Sequence, residues 1–418
     1  MSNRHTGEED RAVGRLMLFF AIVFAVEGIG QARVGIILQP LTYYLKVNGW
    51  TPLQVTAYFA VLNFPWVIKP VFGLISDFLP LFGYRRTSYL TLASAGAAVG
   101  YAGIALLNEP GEFALFLILT SYAMATASTL CGALLAENGR SFYQSSLFVG
   151  QQWLWFNIAI MASALVGGEL VEHLSASAAL KGSALIAAIA PVAILVAMPL
   201  LLREPRSAIN RRELRNTLQG IMSALKSGKL YLVAVFLFLY FFAPGFGTPL
   251  YYHMTDTLRF SQAYIGVLGS IAAAGWIAGG LVHRFLLQRM SSQLLLYLSV
   301  VLGTASAASF LLLTGELSAA LVNFGYGFAQ MIATIATLTL AAQNCPRRAE
   351  GFAFAGLMSI SNLADIVSIN AGALLYEHVF DGKLAPLIVV SAATTAVAIV
   401  LVPLLGLSGQ DRNNRLYG

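Results

Sequence analysis

The chain has 418 residues, of which 58% are hydrophobic and 11% are charged, and its mean hydropathy is +0.73. Soluble globular domains carry about 25% charged residues, so this composition excludes an ordinary soluble protein and indicates an integral membrane protein. The net charge is +6, but the basic residues lie in alternate connections between apolar stretches. That distribution is typical of membrane topology, so we expect no nucleic-acid partner.

The polar N-terminal residues 1–15 are not followed by a short apolar region with a small-residue cleavage site, so we expect no cleaved signal peptide. Two cysteines, Cys131 and Cys345, give neither a disulfide framework nor metal-ligand spacing, and the five histidines are scattered. The chain has no nucleophile motif and no phosphate loop. We therefore expect no metal, no cofactor and no enzymatic activity.

Apolar stretches of about 20 residues recur along the chain, and each is long enough to cross a hydrocarbon core of about 30 Å as a helix. The predicted fold is an all-α membrane protein with twelve transmembrane helices in two six-helix halves. The predicted spans, numbered 1 to 12, are residues 15–39, 53–76, 88–107, 113–136, 146–169, 181–202, 230–252, 262–285, 292–314, 318–343, 351–376 and 384–407.

The halves are predicted to be residues 1–202 and 230–418, related as structural repeats. Lys and Arg are concentrated on the side that holds the N-terminus, which predicts cytoplasmic termini. We expect a multi-pass protein of a bacterial plasma (inner) membrane. Residues 203–229 are predicted to form a cytoplasmic linker with an amphipathic helix. A solvated linker whose basic residues only enforce topology is the alternative.

A charged hairpin follows the second span. Gly73, Asp77, Gly83, Arg85 and Arg86 form the pattern Gly-x3-Asp-x5-Gly-x-Arg-Arg. An aspartate at a helix end and arginines across a tight glycine turn would pair in one conformation and separate in another, as a gating latch. The alternative is a turn glycine with arginines that only fix topology.

This pattern resembles the loop between the second and third helices of the major facilitator superfamily. A longer string extends it: Pro65-Trp66-Val67-Ile68-Lys69-Pro70, Gly73, Ser76-Asp77, Pro80, Gly83-Tyr84-Arg85-Arg86 and Tyr89-Leu90. Over residues 64–90 the chain resembles the folate-biopterin transporter family within that superfamily. The resemblance implies the major facilitator fold and transport by alternating access, and it implies that Lys69 serves gating.

Charged residues also occur inside the spans. Glu27 lies near mid-depth of span 1 and is predicted to bind a proton or the substrate, while Arg33 lies about 9 Å closer to the outside and would attract anions. The alternative for Arg33 is a side chain that extends to the interface. Lys69 lies between Pro65 and Pro70, where a kink would expose carbonyl groups to a cavity, and a substrate anion or an internal counter-ion would be its partner.

Span 11 carries Asn362 and Asp365 on a polar stripe at three-residue steps. A carboxylate at Asp365 would accept two hydrogen bonds from the aminopyrimidine edge of a pterin. The alternative is that Asp365 pairs with a basic residue and only helps the halves move.

Amides and aromatic residues on two other spans suit a flat polar heterocycle. Span 10 offers Asn323 and Gln330, and span 5 offers Gln151 and Asn157. The alternative is ordinary interhelical hydrogen bonding and packing.

Span 7 is interrupted at residues 242–249, which contain two prolines and two glycines, with Tyr240 beside them. We expect Pro244 to mark a bendable gating segment and Tyr240 to contact the substrate. The alternative is a span that ends early at Pro244.

These patterns predict a secondary transporter that imports a folate- or pterin-type organic anion by alternating access, with a proton. Its partners would be the small-molecule anion, the proton and the lipid bilayer, and we expect a monomer. The alternatives are an exporter of drugs or metabolites and an importer of another organic acid such as a siderophore.

Overall fold

A computed structural model describes residues 2–207, 211–345 and 350–406 of the chain. Within these ranges the chain is helical, and β-type pairing is confined to one isolated bridge between Leu81 and Tyr84. The all-α prediction is confirmed for the described residues. Arg347, Arg348, Arg412 and Arg415, which contribute to the predicted charge asymmetry, lie outside them.

The chain forms two compact units. Unit 1 comprises Met1–Asn48 and Ile68–Arg211, and unit 2 comprises Gly49–Val67 and Arg212–Gly418. The outer part of the second predicted span therefore packs within unit 2, although its sequence position lies in the first half.

The helices of unit 1 cover most of predicted spans 1, 3, 4, 5 and 6 and the inner part of span 2. They are α1 Ser2–Gly30, α2 Leu38–Val47, α4 Lys69–Phe78, α5 Thr87–Ile104, α6 Pro110–Ser141, α7 Ser145–His173 and α8 Ala176–Leu201. Large aromatic side chains fill the interior, and Tyr101, Phe19, Phe20, Phe113 and Phe148 are each fully buried.

The helices of unit 2 begin with the outer segment of span 2. They are α3 Pro52–Asn63, α9 Arg211–Leu225, α10 Gly228–Phe241, α11 Gly247–Asp256, α12 Gln262–Val282, α13 Ser292–Ser309, α14 Glu316–Asn344, α15 Glu350–His378 and α16 Leu384–Leu401. Side chains from α10, α13, α14, α15 and α16 form one apolar core.

Each predicted span coincides with helical residues. Over the described ranges, ten helical segments are long and apolar enough to cross a membrane, and an eleventh results if Leu218–Leu225 and Gly228–Phe241, which meet at a bend of 70°, are taken together. The shorter α5 covers the third predicted span but is not among the ten. The number twelve and the location of the termini stay predictions.

Side-chain caps define where many helices begin. Ser175, Ser227, Ser261 and Ser291 each accept a hydrogen bond from the backbone N–H three residues further on, at 3.1–3.3 Å. Thr51 forms a reciprocal capping box with Gln54 at the start of α3. These bonds satisfy N–H groups that have no partner within their helix.

Three of the predicted spans are interrupted. Span 1 breaks between Gly30 and Leu38, and span 2 passes through a 3₁₀ turn at Phe64–Trp66. Span 7 breaks between Phe241 and Gly247, which is where its prolines and glycines predict a break. Non-helical backbone at membrane depth needs protein partners for its N–H and C=O groups, so neighbouring protein groups must stabilise each break.

Glycines allow helices within each unit to approach closely. In unit 1, a Cβ on Gly28 would lie 2.6 Å from the Phe156 carbonyl oxygen, which ties α1 to α7. In unit 2, a Cβ on Gly327 would lie 1.9 Å from the carbonyl oxygen of Ala272, which ties α14 to α12. Small residues of this kind are typical of helix interfaces in membranes.

Candidate functional site

The charged residues of spans 1 and 2 meet in unit 1 through a serine of span 4. The Lys69 ammonium donates a hydrogen bond to Ser128 Oγ at 2.9 Å, and the Ser128 hydroxyl donates one to Glu27 Oε1 at 2.6 Å. Glu27 lies on α1, Lys69 begins α4 and Ser128 lies on α6, and all three side chains are half-buried. The two charges that the sequence predicts for separate roles thus share one polar chain.

This arrangement suits opposite charges inside a membrane. A lysine at the centre of a membrane helix costs about 2.5–3.5 kcal/mol on insertion scales, so it needs compensation. A hydroxyl can accept from an ammonium and donate to a carboxylate at the same time. Ser128 therefore connects the side chains of Lys69 and Glu27, which are of opposite charge type.

Local backbone structure positions Lys69. The turn Phe64–Trp66 interrupts span 2, and a new helix starts at Lys69 with Pro70 in its first turn. Proline fits there because the first N–H groups of a helix have no partner within it.

The break in span 1 follows Glu27 by one helical turn. The Tyr101 hydroxyl donates to the Gly30 carbonyl oxygen, so the last residue of α1 has a partner outside its own helix. Beyond it, the backbone N–H of Ile36 bonds to Ile29 O at 3.0 Å and closes an irregular turn. Arg33 lies in this turn and is exposed.

The hairpin after span 2 is held by Arg86, which is 4% exposed. Its guanidinium lies 2.5 Å from Asp77 Oδ1 and 2.7 Å from Glu137 Oε1, and it donates to Ser76 Oγ at 2.6 Å. Gly83 has φ +84°, a left-handed conformation that closes the turn. Of the two predicted latch arginines, Arg86 makes these ion pairs. Gly73 lies on α4, where an added Cβ would lie 3.7 Å from Thr129 Cγ2 of α6.

Glu204, just beyond α8, holds the other end of the hairpin. Its Oε1 accepts the backbone N–H groups of Arg85 and Arg86, each at 2.9 Å, and its Oε2 accepts the N–H and the hydroxyl of Thr87. A carboxylate at the N-terminus of α5 is favourably placed in the field of the helix dipole. The hairpin is therefore tied to α4, to α6 and to the segment after α8.

In unit 2, Ser368 of α15 forms hydrogen bonds with the residues on both sides of Pro244, at the break in span 7. The Ser368 hydroxyl donates to the Ala243 carbonyl oxygen, and the Ser368 carbonyl accepts the Gly245 N–H at 2.9 Å. Pro244 is buried between these bonds. A Cβ on Gly372 would lie 1.9 Å from Gly245 O, so α15 and the broken segment touch backbone to backbone.

The polar stripe of span 11 lies on α15. The Asn362 amide donates to the Trp66 carbonyl oxygen at 3.0 Å and so satisfies the 3₁₀ turn of span 2 within unit 2. Asp365, three residues on, is half-buried. Asn362 thereby has a structural contact that its sequence position does not reveal.

The remaining predicted site residues are spread over several helices. Asn157 is 3% exposed and donates to the Trp153 carbonyl on its own helix, and Asn323 likewise donates to Ala319 O at 2.8 Å. Gln151 Oε1 accepts from the indole of Trp155 at 2.6 Å, and Gln330 is half-buried.

Tyr240 lies in the apolar core of unit 2. It is 8% exposed, and its hydroxyl donates to Ser299 Oγ of α13 at 2.7 Å. This placement gives the side chain a packing role between α10 and α13.

Sequence reasoning did not single out Ser128, Glu137, Glu204 or Tyr101. Serines and tyrosines are common in membrane spans, and Glu137 lies just past a predicted span end. Glu204 follows span 6 directly among basic residues, which is the one signal that could have drawn attention to it.

Comparisons with known proteins identify the family. The model of the BT1 family matches residues 32–412. The chain is 27% identical over 415 residues to the folate-biopterin transporter of Synechocystis, covering 94% of this chain and 81% of that protein. It is 28% identical over 398 residues to probable folate-biopterin transporter 6 of Arabidopsis thaliana, covering 88% of this chain and 77% of that protein. It is 23% identical to folate transporter 2 of Plasmodium falciparum, covering 87% of this chain and 83% of that protein.

Solved structures show the same fold. A mutant form of the nucleoside transporter NupG superposes with a TM-score of 0.70 at 15% identity, covering 93% of this chain and 99% of that one. The D-xylose-proton symporter also superposes with a TM-score of 0.70, at 14% identity, covering 93% of this chain and 97% of that one. Both are transporters of the major facilitator fold. The chain thus belongs to the BT1 family of folate-biopterin transporters and is a multi-pass membrane transporter with the major facilitator fold.

Proposed function

We propose that this protein imports a folate- or pterin-type organic anion across a bacterial inner membrane by alternating access, together with a proton, and that it works as a monomer. The observation that carries the proposal is the polar chain in which Glu27 and Lys69 lie within one unit, linked by Ser128. A carboxylate there would carry the proton, and a nearby ammonium would favour an anion. Relatives named as folate and folate-biopterin transporters support the substrate class.

In unit 2, Asp365 would face the aminopyrimidine edge of the substrate. A carboxylate accepts paired N–H donors from such an edge with good geometry. The hairpin held by Arg86 and the broken segment at Pro244 would act as gates, since both rest on a few specific bonds that a conformational change would have to break.

Uptake of radiolabelled folic acid into proteoliposomes tests this proposal. We expect an inward proton gradient to stimulate uptake in the unchanged protein. Glu27→Gln should lose that stimulation while retaining exchange of internal for external folic acid, because exchange needs no net proton movement.

Asp365→Asn should lose uptake and exchange together, since it removes a substrate contact. Thr126→Ala, on α6 with a hydroxyl that bonds only to Tyr122 O of its own helix in the described structure, serves as the control. Unaltered gradient stimulation in Glu27→Gln would remove Glu27 from proton coupling, and unaltered uptake in Asp365→Asn would remove Asp365 from substrate binding.

A further inference from the structure

We propose that an arginine-lined cavity of unit 1 binds a phosphate group, that of an anionic phospholipid. The cavity is open to the surface and has a volume of about 750 Å³. It is lined by Arg11, Gly14, Arg15 and Leu18 of α1 and by Arg203, just beyond α8. The site is separate from the residues assigned to transport, so it does not depend on which solute the protein carries.

One face of α1 supplies most of the lining. Arg11, Arg15 and Leu18 follow each other at steps of four and three residues, the spacing of side chains that share one side of a helix. Two arginines four residues apart repel each other, and an anion between them would remove that repulsion. Gly14 lies on the same face, and a Cβ added there would meet no heavy atom within 4 Å. The absent side chain leaves room for a bulky anionic group.

Arg203 approaches the same cavity from α8, which packs against α1. The acid beside it in sequence, Glu204, is engaged by the hairpin. Its Oε1 accepts the N–H groups of Arg85 and Arg86, and its Oε2 accepts the N–H and the hydroxyl of Thr87. Among the described residues that line the cavity none is acidic, so its charge is positive.

Three guanidinium groups around one cavity suit a phosphate. Each is planar and presents N–H donors in a fork that matches two phosphate oxygens. Basic pockets between membrane helices, at the level of the headgroups, are typical binding sites for anionic lipids. Arg15 directly precedes the apolar stretch of α1 and Arg203 directly follows that of α8, so both lie at that level.

The apolar surface beside the arginines favours a lipid over free phosphate. Leu18 lies one turn beyond Arg15 and is 53% exposed, and Leu200 lies one turn before Arg203 and is 70% exposed. Both leucines lie on the membrane side of their arginine, where acyl chains would cover them. Free phosphate would use the arginines but leave this apolar surface uncovered.

Lipid binding to the purified full chain in a neutral detergent tests the site. Phosphatidylglycerol and phosphatidylcholine are the probes, since the second carries a phosphate without net charge, and native mass spectrometry measures the bound fraction. We expect the unchanged protein to prefer phosphatidylglycerol. Arg11→Gln and Arg15→Gln should each weaken phosphatidylglycerol binding by about fivefold, the effect of one basic residue lost beside an anionic lipid surface.

Two further variants separate the cavity from the general positive charge. Gly14→Leu keeps every charge but fills the cavity, and it should weaken phosphatidylglycerol binding as much as a lost arginine does. Arg140→Gln removes one charge from an exposed position of α6 outside the cavity, and it should bind as the unchanged protein does. Thermal unfolding in detergent shows whether each variant is folded, and the comparison of Arg15→Gln with Arg140→Gln stands without Gly14→Leu.

Three results would overturn the proposal. Equal weakening in Arg15→Gln and Arg140→Gln would reduce the preference to general charge attraction. Full binding by folded Gly14→Leu would place the lipid outside the cavity. In a separate arm, inorganic phosphate at the same concentration should fail to displace phosphatidylglycerol, and displacement would identify free phosphate as the ligand instead.

Discussion

Among the described residues, Arg86 is the charged side chain with the least exposure, at 4%, and it contacts three oxygens on two helices. An arginine suits this position because its planar group presents several donors in fixed directions, whereas a lysine ammonium is a compact point charge. The hairpin is therefore held by specific bonds, those of Arg86 at one end and of Glu204 at the other, rather than by the general positive charge of the loop.

Arg86→Lys tests that dependence. The shorter reach of an ammonium would leave at least one of Asp77 and Glu137 without its partner, and both acids are partly exposed, so we expect a loss of about 1–3 kcal/mol in stability. The measurement is the midpoint of thermal unfolding in detergent. Arg140→Lys is the control, since Arg140 is exposed and bonds only to Ala136 O in the described structure. Equal midpoint shifts in the two variants would contradict a specific role for Arg86.

Sequence reasoning finds charged residues more readily than their neutral partners. Glu27 and Lys69 are conspicuous because charges are rare in apolar stretches, and their cost demands an explanation. Ser128 is not conspicuous, since a serine in a membrane helix commonly bonds to its own backbone. The link between Glu27 and Lys69 depends on three helices meeting, which spacing along one helix does not reveal.

At the scale of helices, each unit contains a broken span and a later span that packs against the break. In unit 1 a Cβ on Gly167 of α7 would lie 3.1 Å from Ile36 O, and in unit 2 a Cβ on Gly372 of α15 would lie 1.9 Å from Gly245 O. Spans 1 and 7, and spans 5 and 11, would hold equivalent places in the predicted repeat of two six-helix halves.

Gly372→Ala tests the close contact at the break in span 7. The added methyl would meet backbone atoms, which cannot rotate away, so α15 or the broken segment must shift at a cost of about 1–3 kcal/mol. We expect the folic acid uptake rate to fall by at least about tenfold. Gly356→Ala on the same helix has no heavy atom within 4 Å of the added Cβ and should transport normally. The contact would be irrelevant to transport if both variants behaved alike.

The two breaks differ in how far the sequence predicts them. Pro244 and its neighbouring glycines indicate the break in span 7, because proline removes a backbone donor and disfavours a continuous helix. Residues 31–37 contain no proline, and span 1 is predicted from the sequence to run through them unbroken. That break is stabilised by partners distant in sequence, notably the Tyr101 hydroxyl on Gly30 O, so only the folded structure reveals it.

For the whole molecule, composition and hydropathy suffice to predict an all-α membrane protein, and residues 64–90 suffice to suggest the family. The packing of residues 49–67 within unit 2 is not predictable in the same way, because hydropathy treats the second span as one element. Its 3₁₀ turn, with Asn362 bonded to Trp66 O, marks where the chain leaves unit 2.

Transport by alternating access requires the ionisable residues at mid-depth to be reachable from each compartment in turn. The most direct measurement is thiol labelling of single cysteines, Glu27→Cys or Asp365→Cys, after Cys131→Ala and Cys345→Ser. An impermeant methanethiosulfonate reagent is applied to either face of oriented vesicles, with Leu115→Cys on the exposed apolar surface of α6 as the control. Alternating access predicts that both test cysteines react from both faces while the control does not. Test cysteines that react from neither face would contradict it.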